Sequence, residues 1–248
     1  MSMHWQALAT ALFPQGHSIV EKEDFLSGSA QVGAQVVSVV GTTGHAPIGI
    51  EIALLQAQAI LRTVRDHPGR AIVILIDTQG QRLRHRDEML GINRYMAHLG
   101  KCIELARRHH HRIVGLVYDQ ALSGGFITSG LMADACYALP DASIRVMGLP
   151  AMARITKVPE ELLIELAKSN PVFAPGPENY LRMGGLAAIW RGDLAGHLLQ
   201  ALSVVGGGDD GDDAAVDNRA ALGAERGGRN WSQRVVQAIV SGSRVSTS

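Results

Sequence analysis

Cysteine is nearly absent from this 248-residue chain: Cys102 and Cys136 are the whole complement, and neither stands in a metal-ligand spacing. That excludes a disulfide-stapled scaffold and a zinc knuckle. Both are read as small apolar residues buried in a reducing compartment. Net charge is missing as well, since 23 Lys plus Arg balance 23 Asp plus Glu. A nucleic-acid binder held by phosphate neutralisation is therefore not expected. No apolar run reaches the roughly 18–20 residues a membrane span requires. The opening MSMHWQALATALFPQG has no basic n-region and no long apolar stretch, so no signal peptide is read and a cytoplasmic protein is expected. What the chain does have is apolar side chains, 46% of it, at a length that supports one large α/β core.

The most informative stretch is Ile113 to Leu139, IVGLVYDQALSGGFITSGLMADACYAL. Ile113 to Val117 is a continuous, largely β-branched run, the pattern of a parallel strand covered on both faces. A turn from Tyr118 to Ser123 follows, then Gly124 and Gly125, then an apolar helix start at Phe126 and Ile127. Ala135 to Leu139 reads as a second short strand. The two glycines thus fall where a strand end meets a helix N-terminus. There the first N–H groups lack internal partners and the helix dipole adds partial positive charge. With no side chain at 124 and 125 a ligand oxygen can approach those N–H groups, an arrangement suited to a developing oxyanion.

This strand, Ser-Gly-Gly turn, helix and strand resemble the core of the crotonase superfamily. That is an α/β fold, the ClpP/crotonase spiral of ββα units, which includes the carboxyltransferase subunits of biotin-dependent acyl-CoA carboxylases. Three runs narrow the match: IDTQGQ (76–81), DQALSGGFITSGLMADACYALPDASIRVMGLPAMARITK (119–157) and ENYLRMGGLAAIWRGDL (178–194). They resemble the gamma subunit of biotin-independent malonate decarboxylase, over residues 15–205. The resemblance implies a thioester enolate held by two backbone N–H groups. One comes from Gly124 and Gly125, the other from the loop after the preceding strand, at Gly80 or Gln81. A tight turn that merely needs Gly80 is the equal alternative. Ser123, Ile127, Met147 and Gly148 would line the substrate. Ile127 stands where related hydratases carry a catalytic acid, so the resemblance implies a site that excludes water rather than adds it.

Elsewhere the pattern is plainer. Residues 1–16 read as a short helix on Trp5, Leu8 and Leu12, a docking arm rather than core, and Ser18 to Leu26 shows little pattern. Gln35 to Val40 reads as a strand running into GTTGHAPIG (41–49), which lacks the GKS/T ending of a phosphate loop. His45 in that loop is a candidate substrate contact, with a structural role the alternative. A helix over Ile48 to Arg65, a buried strand over 71–77 and one long helix over Asp87 to His109 follow. Arg82, Arg84 and Arg86 are candidates for binding an anionic carrier arm; a solvated loop or salt-bridged contact is the alternative. The run Arg107 to Arg112 reads as a solvated helix end. Helices are expected over 148–157 and over Pro159 to Lys168, the latter with Leu162, Leu163 and Leu166 inward. A Pro-rich connector over 170–177 and a helix over Asp193 to Leu202 complete a domain spanning 1–205. Residues 206–216 read as a flexible Gly/Asp linker without calcium-loop spacing, and 217–248 as a helical segment and tail meeting a partner.

The resemblance also implies company. A beta subunit of the same fold would complete the site, and an acyl carrier (delta) subunit would bring the malonyl thioester on a phosphopantetheine-like arm derived from dephospho-CoA. An acyl-carrier transferase (alpha) subunit would load that carrier. The chain itself would bind no cofactor and no metal. A carboxyltransferase subunit of a biotin-dependent carboxylase and a non-catalytic stabilising subunit are the alternatives.

Overall fold

The computed structural model describes residues 3–169, 176–203, 217–228 and 232–242. Its frame is a nine-stranded sheet whose main path runs β1-β2-β3-β5-β6-β7-β9. Here β1 is Val20–Lys22, β2 Phe25–Val32, β3 Gln35–Thr42, β4 Ala46–Ile48 and β5 Ile72–Gln81. β6 is Ile113–Leu122, β7 Ala135–Ala138, β8 Ser143–Arg145 and β9 Ala188–Ile189. The first three strands pair antiparallel and the others parallel. β5 and β6 are the longest parallel strands, and both slip register between Ile76 and Thr78. Beyond that slip they gain new neighbours, β4 on one side and β8 on the other. The sheet thereby branches at β4 and β8, and the glycine turns lie beside the branch.

The alternation along β5 shows why the strands sit in the middle. Val73 and Leu75 enter one apolar layer with Trp5, Leu8 and Trp190. Ile72, Ile74 and Ile76 enter the other, beneath helices α2 (Ile50–Asp66) and α4 (Ile92–Arg108). Each fully buried aliphatic side chain contributes about 1.5–3 kcal/mol relative to exposure, so this doubly covered strand pair is where the fold is most firmly specified.

Several elements depart from the sequence reading. Helix α1 (Trp5–Leu12) is core, not a docking arm: Trp5, Leu8, Ala9 and Leu12 are buried, and the Trp5 indole donates to Glu21 Oε2 at 2.6 Å. Ser18 to Leu26, which showed little pattern, holds β1 and the start of β2, a hairpin whose turn has Glu23 and Asp24 at positive φ. The long helix expected over Asp87 to His109 is two, α3 (His85–Met89) and α4, broken at Gly91 with φ 74°. The Arg107 to Arg112 run is a solvated end only in part, with Arg108, His109 and His110 exposed. Arg107 bonds Asp134 at 2.7 Å, and buried His111 bonds the Arg70 carbonyl through Nδ1 at 2.8 Å. After α5 (Ser123–Ser129) and α6 (Leu149–Thr156) comes α7 (Glu160–Ser169), where Leu163 is buried but Leu162 faces out. Both cysteines are free and buried.

Helices α8 (Pro177–Arg182) and α9 (Leu194–Ser203) frame β9. The linker 206–216 and most of the connector over 170–177 lie outside the described residues. Helix α10 (Arg219–Glu225) docks on its own chain. Arg226 donates to the carbonyls of Leu181, Leu186 and Ala187, and Arg219 to that of Leu131. The last described helix is α11 (Ser232–Ser241). No described helix is long and apolar enough to cross a membrane.

Candidate functional site

The polypeptide makes its closest unusual approach where the end of β5 meets the start of α5. Gly80 has φ 95°, and a Cβ there would lie 2.7 Å from Ser123 Cβ and 2.9 Å from the Leu122 carbonyl. A Cβ on Gly125 would lie 3.1 Å from Gly80 Cα, 3.0 Å from Ile48 Cγ1 and 3.2 Å from Thr78 Oγ1. The two turns therefore pack backbone against backbone, and only glycine permits it. Gly124 differs, because the nearest atom to a Cβ there is Gln81 Oε1 at 3.9 Å and its φ is ordinary. The chain is open above Gly124, with the Gln81 side chain alongside.

Backbone bonding separates Gly80 from Gln81. The Gly80 N–H already donates to Thr78 Oγ1 at 2.9 Å, and that hydroxyl donates to the Ala46 carbonyl at 2.6 Å. In the β4 ladder Ile48 pairs with Gln81 through the Arg82 N–H, at 2.9 Å. The Gln81 N–H is outside that ladder. The Gly80 N–H is thus already engaged, and Gly80 shapes the turn. On the other side, the first N–H groups of α5 have no acceptor one turn back. Ser123 opens that helix at φ 55°, a left-handed conformation that is strained for a side-chain-bearing residue.

The remaining expected residues fall around these turns. β8 pairs Leu122 with Arg145, which brings Val146, half-buried Met147 and Gly148, the N-cap of α6, beside Ser123. Ile127, one turn into α5, is 53% exposed, and Leu83 and Val146 are more exposed still. The site is thus rimmed by apolar side chains open to solvent. The arginine loop is largely spoken for: Arg84 bonds Asp87 at 2.6 Å and Glu51 at 3.2 Å, and Arg86 pairs with Glu51. These guanidinium groups, Arg86 first, hold the Glu51 carboxyl down at about 2. Of the three, Arg82 has no carboxylate partner among the described residues.

The His45 ring bonds neither glycine turn but closes a cluster that sequence reasoning missed. Its Nε2 lies 3.1 Å from Asp119 Oδ2 and 3.7 Å from Asp77 Oδ1. Burial pushes the Asp77 carboxyl up, opposed by the His45 N–H and His45 charge, while Asp119 pushes it further up. The three donor atoms lie within 4.8 Å of one another, and among the described residues they are the set that could hold a cation. The signal for the two aspartates was present in the sequence: each directly follows an apolar strand run, where a carboxylate must find partners.

Two packed glycine turns at the ends of neighbouring parallel strands, in a sheet that branches there, mark a crotonase-like fold of the carboxyltransferase type. The fold superposes on a transcarboxylase 12S subunit, solved with methylmalonyl-coenzyme A and methylmalonic acid, with a TM-score of 0.70 at 18% identity, over 82% of this chain and 41% of that one. A chain of a Pseudomonas malonate decarboxylase hetero-tetramer, solved with coenzyme A, gives 0.71 at 24% identity, over 93% of this chain and 97% of that one. Residues 43–243 match the malonate decarboxylase gamma subunit family. A malonyl-S-ACP:biotin-protein carboxyltransferase from Malonomonas rubra is 30% identical over 228 residues, 82% of this chain and 78% of the relative. The chain belongs to the malonate decarboxylase gamma subunit family.

Proposed function

We propose that this subunit, joined to a beta subunit of the same fold, decarboxylates a malonyl thioester carried on the phosphopantetheine-like arm of an acyl carrier, without biotin. The observation that carries the reading is the packing of the Gly80–Gln81 turn against Ser123–Gly125. In this reading the N–H groups of Gln81 and Gly124 are the donors, because the Gly80 N–H is already engaged and there is open space where a Gly124 side chain would stand. In the reaction the bond between the malonyl Cα and its carboxyl carbon breaks. Its electron pair passes through Cα to the thioester oxygen, carbon dioxide leaves, and a proton from water then reaches Cα to give the acetyl thioester. The charge that must be stabilised is the enolate oxygen. Backbone N–H groups hold it without transferring a proton early, each worth roughly 10²–10³ in rate. The apolar rim of Ile127, Leu83 and Val146 supports burial by the partner, which would keep water away until carbon dioxide has left.

A Pseudomonas malonate decarboxylase was crystallised as a hetero-dimer, in keeping with that assembly. Arg82 is left to meet the carrier arm, with the alpha subunit loading the carrier elsewhere. The Malonomonas relative favours a second reading, in which the carboxyl group passes to a biotin protein. Reconstitution with beta subunit and malonyl-carrier, with avidin present, separates the two. Carbon dioxide and acetyl-carrier in equal amounts support the first. Turnover abolished by avidin, or absent until a biotinylated acceptor is added, supports the second.

A further inference from the structure

Register slips between Ile76 and Thr78 and between Ala46 and Pro47 remove regular ladder bonds just where β5 enters the glycine turn. Something else has to fix that turn, and residues 45 and 46 do so from one side. The His45 N–H donates to Asp77 Oδ2 at 2.9 Å, and the His45 carbonyl accepts from the Gln79 N–H at 3.3 Å. The Ala46 carbonyl accepts from Thr78 Oγ1, whose oxygen accepts the Gly80 N–H. Four consecutive residues of the turn are thereby tied to two. His45 can present its N–H, carbonyl and ring together because it sits at φ 52°, the left-handed region. The ring fastens the arrangement to the next strand: Nε2 meets Asp119 Oδ2, and the Asp77 carboxylate, 4% exposed, accepts the Gln120 N–H at 3.3 Å. Asp119 and Gln120 stand only a few residues before Ser123, so one cluster touches the strands leading into both turns.

We propose that His45 is a positioning residue for the decarboxylation proposed above. Clamped between Asp119 and Asp77, it fixes the spacing between the Gln81 and Gly124 N–H groups and makes no contact with the thioester. The inference rests on that functional reading for its kinetic arm only. Hydrogen bonds at the bends of β5 and β6 replace the missing ladder, and an error of an ångström in such a donor pair costs roughly 10²-fold in rate.

The test uses the reconstituted complex with four variants. His45→Gly removes the ring while suiting the left-handed backbone, so strain is not the cause of any loss. His45→Gln retains a donor near the position of Nε2. Asp119→Ala removes the other end, and the double variant completes a cycle. The expected result is a kcat about 10–100-fold lower for His45→Gly and for Asp119→Ala, with KM for malonyl-carrier unchanged within about twofold. His45→Gln should recover most of the loss, and the double variant should be no worse than either single one. Amide exchange at Gln79 and Gly80 should speed about tenfold or more in His45→Gly. Exchange is read without turnover, so a wild-type complex that releases no carbon dioxide would defeat the proposed function and leave the clamp still decided. Wild-type kcat and unchanged exchange in His45→Gly would overturn the proposal. So would a raised KM at constant kcat, which marks a substrate contact, or additive losses in the cycle. Turnover that needs added Mn²⁺ or Zn²⁺ and loses that need in His45→Gly would overturn it in favour of a cation site.

Discussion

Valine at Gly124 is a perturbation the fold should accept and the chemistry should not. The φ of Gly124 lies outside the left-handed region, and one atom, Gln81 Oε1 at 3.9 Å, comes within 4 Å of the position a Cβ would take. Valine is a slightly better helix residue than glycine, so stability should stay within about 0.5 kcal/mol of wild type. The two γ-methyl groups would stand beside the N–H that the enolate oxygen must reach. Loss of one such donor corresponds to roughly 10²–10³ in kcat. Gly124→Ala, with one carbon in the same space, should lose less. Gly80→Ala provides the contrast, since φ 95° and a Cβ 2.7 Å from Ser123 Cβ make it fail by unfolding the turn. The assay is carbon dioxide release by the reconstituted complex, read beside thermal unfolding and size-exclusion profiles. A Gly124→Val complex that assembles, melts like wild type and turns over at near wild-type rate would refute the reasoning and move the site away from α5.

Four further outcomes follow from the structure. Trp5→Ala should cost about 3–5 kcal/mol in unfolding free energy, as for a large buried aromatic, because Trp5 is core and its indole is bonded to Glu21; denaturant unfolding measures it. Arg82→Ala should raise KM for the carrier and flatten its salt dependence. Arg84→Ala should instead lower stability, because it leaves Asp87, which is 0% exposed, with only the more distant Arg86 guanidinium. The Glu51 carboxyl is held below its ordinary 4.5 at about 2. Its contribution to stability is therefore complete above pH 4.5 and disappears as pH falls toward 2. Glu51→Gln should flatten that acid limb, by no more than about 1 kcal/mol because the pair is solvent-screened.

The doubly buried strands were the easiest part to read, because Ile72–Ile76 and Ile113–Val117 carry an apolar signal that nothing else in the chain matches. So were the glycines at 124 and 125, since a strand, a small-residue turn and an apolar helix start follow one another without a gap. The hairpin over 20–32 was hidden because its strands are short and polar, with Ser27, Gly28 and Ser29 in the middle. The break at Gly91 was hidden because helical periodicity continues on both sides of it. The clamp at His45 showed in the sequence only as separate residues, not as a cluster. His45, Asp77 and Asp119 are separated by 32 and 42 residues, and only the parallel register of β5 and β6 and the loop before β4 bring them together. In the arginine loop the salt-bridged alternative accounts for two of the three arginines, because Glu51 and Asp87, on neighbouring helices, pair with Arg84 and Arg86.

The central claim is that this subunit completes a biotin-independent decarboxylase. It is tested most directly by following malonyl-carrier labelled in its free carboxyl carbon, in deuterated water with avidin present, with and without this subunit beside the beta subunit. The account predicts that the labelled carbon appears as carbon dioxide only when both subunits are present, and that each acetyl-carrier gains one deuterium at its methyl carbon. Label retained on a biotin protein, or equal carbon dioxide release by the beta subunit alone, would contradict it.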